Sequence, residues 1–120
     1  MTVLGIDHVQ VAAPPGCEAE ARAFYGGILG MEELPKPGPL RDRGGCWFRA
    51  GAQELHVGVE VDFVPARKAH PGLVVSDLDE VRTRLVAAGV ASRDDAELEG
   101  VERLFVHDPF GNRVELRQSV

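Results

Sequence analysis

The period of apolar and polar positions changes several times along the chain. Leu4 to Ala12 is rich in Val and Ile and alternates loosely, which predicts a strand closed by Pro14-Pro15-Gly16. Glu18 to Leu29 is built from good helix formers. It places Ala21, Phe24, Tyr25 and Ile28 at helical spacing, and Gly30 is a plausible stop. Met31 to Leu34 reads as a short strand and Pro35 to Gly45 as a proline-rich loop. Cys46–Arg49 and Gln53–Val61 read as two strands around an Ala-Gly-Ala turn.

After a linker over 62–69 the order repeats. Gly72 to Val75 predicts a strand, and Asp77 to Ala88 an amphipathic helix with Leu78, Val81, Leu85 and Val86 on one side. Asp77 or Asp79 is its cap and Gly89 its end. Val90–Arg93, Leu104–His107 and Arg113–Arg117 read as strands, the last two joined by an Asp108-Pro109-Phe110-Gly111-Asn112 turn. Landmarks recur at similar offsets: 22 residues separate His8 from Gly30 and 19 separate His70 from Gly89; 48 separate His8 from His56 and 45 separate His70 from Glu115. The fold class is therefore α+β. A single domain over 1–120 is expected, with module one over about 1–61 and module two over about 70–120, each strand–helix–three strands.

Composition narrows the function classes. The 120 residues suit one domain, and a formal net charge of −6 speaks against a nucleic-acid footprint. Cys17 and Cys46 form no CxxC pair and read as reduced thiols. No apolar run has the length of a membrane span, and the first residues lack a signal-peptide pattern. The expected setting is cytoplasmic, with neither nucleic acid nor membrane as partner.

The candidate chemistry lies on the strand faces. Residues two apart on a strand share a side. Val9 and Val11 thus oppose His8 and Gln10, and Leu55, Val57 and Val59 oppose Glu54, His56 and Gly58. Likewise Leu73 and Val75 oppose His70, Gly72 and Val74, and Val114 and Leu116 oppose Arg113, Glu115 and Arg117. Three of the four histidines fall on polar faces and Glu115 joins them. If the strands curve together, His8, His56, His70 and Glu115 form a ligand set suited to one divalent ion: Zn, Ni, Co, Mn or Fe(II). The bland alternative is a salt-bridged strand face, with Glu115 between Arg113 and Arg117. Trp47 and Arg49 share a face, as do Phe105 and His107. With Arg113 they would line a pocket of aromatic walls and guanidinium groups for a small anionic or polar ligand. The alternative for Trp47 and Phe105 is core packing, and His107 reads as a turn residue.

GIDHVQVA, AFYGGILGM, AHPGLVVSDLDEV and HDPFGNRVEL occur in this order over nearly the whole chain. The pattern resembles the vicinal oxygen chelate superfamily, which includes glyoxalase I, bleomycin-resistance proteins, fosfomycin-modifying enzymes and extradiol dioxygenases. The resemblance implies two βαβββ modules forming a curved sheet around a cleft, with helices on the outer face. It implies metal ligation by His8, His70 and Glu115, with His56 at the fourth position. A shift of one or two residues would put Glu54 there instead. It also implies a homodimer whose sites draw His8 and His56 from one chain and His70 and Glu115 from the other; the sequence is equally compatible with a site formed within one chain.

Two function classes follow. One is a metal-dependent glyoxalase- or dioxygenase-like enzyme that chelates neighbouring substrate oxygens, with Glu115 (or Glu54) doubling as catalytic base. The other is a metal-free protein of the bleomycin-resistance type that binds a small molecule or drug.

Overall fold

The computed structural model describes residues 1–119, so residue 120 of the expected second module lies outside the described residues. The chain divides into two compact units, Met1–Phe63 and Val64–Val120. Each contains one four-stranded mixed sheet and one main helical segment. The first unit runs β1 (His8–Ala13), α1 (Glu18–Ala21), β2 (Glu33–Leu34), β3 (Cys46–Ala50) and β4 (Gln53–Val59), with sheet order β1-β4-β3-β2. The second runs β5 (Gly72–Val75), α2 (Leu78–Ala87), β6 (Ser92–Asp95), β7 (Arg103–His107) and β8 (Arg113–Gln118), with order β5-β8-β7-β6. Both are βαβββ modules in which the first strand pairs parallel with the last. The helical segment supplies the crossover that such parallel pairing requires.

In the first unit the leading strand starts at His8 rather than Leu4. Its partner β4 begins at Gln53, and the pairing opens with His8 opposite Glu54, so nothing is left to pair with Leu4 or Ile6, which stand exposed. Val9, expected on the covered face, is 39% exposed; Val11 and Ala13 are buried. The expected helix over Glu18–Leu29 is α-helical only to Ala21 and continues as a π-helix over Arg22–Ile28. Its Leu29 N–H donates five residues back to the Phe24 carbonyl at 3.0 Å. Gly26-Gly27 weakens the α preference there. Phe24 and Tyr25, adjacent in sequence, are both buried; Phe24 meets Tyr25 edge-on at 4.9 Å, and the Tyr25 ring lies 5.8 Å from Phe48 of β3. The loop after Pro35 contains a 3-10 segment, Gly38–Arg43. It ends at Gly45, whose positive φ of 84° brings its backbone against β4: a Cβ there would stand 2.1 Å from the Val57 carbonyl oxygen. Only glycine fits that approach.

In the second unit Asp77 caps α2, its carboxylate accepting the Glu80 N–H at 3.1 Å. Leu78, Val81 and Leu85 are buried on the helix face that packs toward the sheet, whose own core positions are Leu104, Val106, Val114 and Leu116. The sixth strand is Ser92–Asp95 rather than Val90–Arg93. Gly89, at φ 71°, turns the chain, and the Val90 N–H is taken by the Leu85 carbonyl at 2.9 Å. The Asp108–Asn112 turn is held by the Asp108 carboxylate, which accepts the Phe110 and Asn112 N–H groups at 3.0 and 2.8 Å.

Candidate metal centre

In the first unit the strand register sets Gln10, His56 and Trp47 in one row across β1, β4 and β3. Trp47 and His56 therefore share a face, and their rings stack at 3.9 Å and 1°. The His8 ring closes the other side of His56 at 4.2 Å and 16°. His56 is thus sandwiched and 4% exposed, while His8 is exposed. Each imidazole has one nitrogen anchored on a carboxylate: His8 Nδ1 on Asp7 Oδ1 at 2.9 Å and His56 Nε2 on Glu54 Oε1 at 2.9 Å. An ionised carboxylate only accepts, so each anchored nitrogen carries a proton; in the neutral imidazole the other keeps its lone pair, Nε2 in His8 and Nδ1 in His56. Such outer anchoring is what orients a metal-binding imidazole.

In the second unit His70 Nδ1 lies 2.8 Å from the Lys68 carbonyl and His70 Nε2 lies 3.2 Å from Glu115 Oε1. A carbonyl can only accept, which places the proton on Nδ1. The lone pair of a neutral His70 then points at a carboxylate oxygen. Two acceptors face to face repel unless a proton or a cation lies between them. Glu115 is buried and is also approached by Arg103 Nη1 at 3.4 Å and Arg117 Nε at 2.9 Å.

The two modules carry these groups at the same register. Gln10 pairs with His56 and Gly72 with Glu115; His8 and His70 each stand two residues before those strand positions. Trp47 is opposite His56, as Phe105 is opposite Glu115. By this correspondence His56, not Glu54, is the counterpart of Glu115, and Glu54 is the group that anchors it. Each unit thus brings two of the expected ligands together: His8 with His56, and His70 with Glu115. Among the described residues no three His, Cys, Asp or Glu side chains are arranged to hold a metal ion. Arg49 is engaged with Glu32 at 3.6 Å on an exposed edge. Phe105 is buried, with the His70 ring edge-on at 5.6 Å and Arg113 above it at 4.1 Å. His107 is exposed.

Three participants escape the sequence pattern. Asp7 lies on the apolar side of a strand begun at Leu4; only the later start of β1 frees it to turn toward His8. Arg103 falls just before a strand begun at Leu104, yet it opens β7 and reaches Glu115. The Lys68 carbonyl is a backbone group and leaves no trace in residue types.

A glyoxalase-like domain family matches residues 11–117 of the chain. Among solved structures, the chain is similar to a glyoxalase family protein from Bacillus anthracis at 53% identity, covering 100% of this chain and 98% of that one, with a TM-score of 0.94. It is similar in fold to lactoylglutathione lyase from Agrobacterium tumefaciens (21% identity, 99% and 96% covered, TM-score 0.74). The fosfomycin resistance protein FosX from Listeria monocytogenes shares the fold as well (15% identity, 99% and 96% covered, TM-score 0.78). No curated relative matches by sequence.

Proposed function

Since the chain belongs to the glyoxalase-like domain family of the vicinal oxygen chelate superfamily, we propose that it is a divalent-metal-dependent enzyme of glyoxalase or dioxygenase type, acting on a small oxygen-bearing substrate. The observation that carries this reading is the opposition of His70 Nε2 and Glu115 Oε1 at 3.2 Å, with the proton held on the far nitrogen by Lys68. His70 Nε2 and Glu115 would act as ligands to a divalent cation, which would relieve that repulsion. His8, through its free Nε2, and His56, through its free Nδ1, supply the remaining ligands.

Each module holds two ligands, so a four-ligand site needs both a first-module and a second-module half. A homodimer that draws one half from each chain meets that need. A bound Zn, Ni, Co, Mn or Fe(II) ion supplies Lewis-acid stabilisation of negative charge on substrate oxygens. The chain's own groups do the rest. Trp47 holds the His56 ring plane, Asp7, Glu54 and Lys68 fix which nitrogens carry protons, and Glu115 is the base. Trp47, Arg49, Phe105 and Arg113 contact substrate. The two buried, unpaired thiols Cys17 and Cys46 suit a reducing, cytoplasmic setting, and among the described residues no helix is long and apolar enough to cross a membrane.

The test is elemental analysis of protein purified without a metal-affinity tag. One divalent ion per site is expected, and a double His70→Ala, Glu115→Ala variant should lose it. Retention of the ion by that variant overturns the ligand assignment. One observation favours a second reading, a metal-free small-molecule binder: both Glu115 oxygens already meet basic groups. That reading expects no metal and ligand binding insensitive to chelators.

A further inference from the structure

The polar face of the second sheet carries more guanidinium than it neutralises. Strand register places Arg93, Phe105 and Glu115 in one row, Asp95, Arg103 and Arg117 in the next, and His107 with Arg113 on the other side of Phe105. All stand on the face opposite the Leu104, Val106, Val114 and Leu116 core. Four arginines therefore meet two carboxylates on this face, in a chain whose overall charge is −6. Both carboxylates are already committed. Asp95 takes Arg103 at 3.0 Å and Arg93 at 3.7 Å, and Glu115 takes Arg117 at 2.9 Å and Arg103 at 3.4 Å.

Arg113 has no carboxylate partner among the described residues. Its guanidinium instead lies over the Phe105 ring at 4.1 Å, the shortest of three such approaches, with Arg93 and Arg103 each at 5.1 Å. One ring cannot offset the mutual repulsion of three cations, since a single cation–π contact at a partly exposed site is weak. Two of the three find carboxylates; the third is left with its donor fork available. A planar fork of this kind matches two oxygens of one anionic group.

We propose that Arg113, backed by Phe105 and assisted by Arg93, is the recognition site for an oxyanion group of the substrate, a carboxylate or a phosphate-type group. The proposal deepens the reading above and rests on it for the word substrate, because Phe105 also touches the His70 ring of the candidate metal pair. The subsite itself needs no metal. It lies within one module, on strands β6, β7 and β8 of the four-stranded sheet, and its selectivity comes from charge and fork geometry.

The full chain, in the presence of a chelator, is titrated with inorganic phosphate and with acetate while arginine side-chain N–H signals are followed by NMR. Saturable binding is expected, with a Kd on the order of millimolar, and the largest shift at Arg113. Arg113→Gln should weaken it at least tenfold and Arg113→Lys by less, since the charge remains and the fork is lost. Arg41→Gln, on the 3-10 segment of the first unit, should leave it unchanged. Tighter phosphate than acetate assigns a phosphate-type group and the reverse a carboxylate. Absence of saturation, or equal losses in the Arg41 and Arg113 variants, overturns the proposal. A parallel metal titration distinguishes failure of the subsite from failure of the metal centre: anions bound without metal ligation sink only the metal reading, and metal bound without anion recognition sinks only this one.

Discussion

His70, two residues before β5, faces Glu115 of β8 at 3.2 Å, and in the neutral imidazole the nitrogen nearer the carboxylate is the one that the Lys68 carbonyl leaves without a proton. The contact is then completed only by a second proton or by a cation. The same carboxylate is the common anion for Arg103 and Arg117, so its charge serves stability as well as ligation.

Replacing Glu115 by Gln keeps the shape and removes the charge. Two guanidinium groups then lose their shared anion beside a buried amide. Stability should fall by about 2 kcal/mol, the cost of losing hydrogen bonds to a charged group, read as a lower urea midpoint. Affinity for Zn²⁺ or Ni²⁺ should fall by roughly 100-fold or more by calorimetry. His70→Ala should cost as much in metal affinity and much less in stability, because His70 does not neutralise the arginines. Equal stability losses in both variants would show that Glu115 has no special part in holding the arginine pair.

The two βαβββ modules were legible from apolar alternation and from the recurring offsets between His8–His56 and His70–Glu115. Those offsets are set by backbone topology, which sequence periodicity reports directly. What alternation could not give was the start of β1. That start depends on where β4 begins, a pairing between residues more than 40 apart. The π-helical stretch at Arg22–Ile28 was equally hidden, because its apolar spacing also satisfies an α-helix. His56 stood out as a polar residue on a strand face, yet its burial between two rings arises from cross-strand neighbours. The four-to-two excess of arginine over carboxylate was partly visible in Arg113-Val114-Glu115-Leu116-Arg117. It became countable only when register brought Arg93 and Arg103 onto the same face.

Glycine positions should separate sharply by surroundings. Gly45→Ala would drive a Cβ to within 2.1 Å of the Val57 carbonyl oxygen at a positive φ, whereas Gly16, also at positive φ (81°), has nothing near it. Gly16→Ala should cost about 1 kcal/mol for the left-handed backbone alone. Gly45→Ala should cost more than about 3 kcal/mol, since β3 must part from β4. Similar denaturation midpoints for the two variants would contradict the close approach seen at Gly45.

Stability should depend on pH at both ends of the range through one cluster in the first unit. The Gly45 N–H donates to Glu18 at 2.6 Å and holds its carboxyl below the usual 4.5, so this contribution is present above pH 4.5 and is lost as pH falls further. Burial, reinforced by the neighbouring Glu18 charge, pushes the Cys17 thiol from 9.0 up to about 11. Unfolding releases that thiol to ionise at its ordinary value, so stability should decline as pH rises from 9 toward 11. Urea midpoints measured against pH should show both limbs. Glu18→Gln should flatten the acid limb and Cys17→Ala should reduce the alkaline one, the remainder coming from Cys46, whose thiol is also pushed up by burial. An unchanged alkaline limb in Cys17→Ala would assign it to another group.

Trp47 is the chain's single tryptophan, and its ring lies flat on His56 at 3.9 Å. It should therefore report on the His8–His56 half of the metal centre. Ni²⁺ added to chelator-treated protein should quench its emission in proportion to occupancy, because His56, the proposed ligand, stacks directly on the indole. His56→Ala should abolish the quenching. Trp47→Leu removes the parallel plane that fixes the His56 ring, and it should weaken metal binding about tenfold while leaving the His56–Glu54 contact in place. Trp47→Phe retains a flat ring and should restore most of the affinity. Full affinity in Trp47→Leu would show that Glu54 alone orients His56. Quenching that survives His56→Ala would place the ion away from this stack.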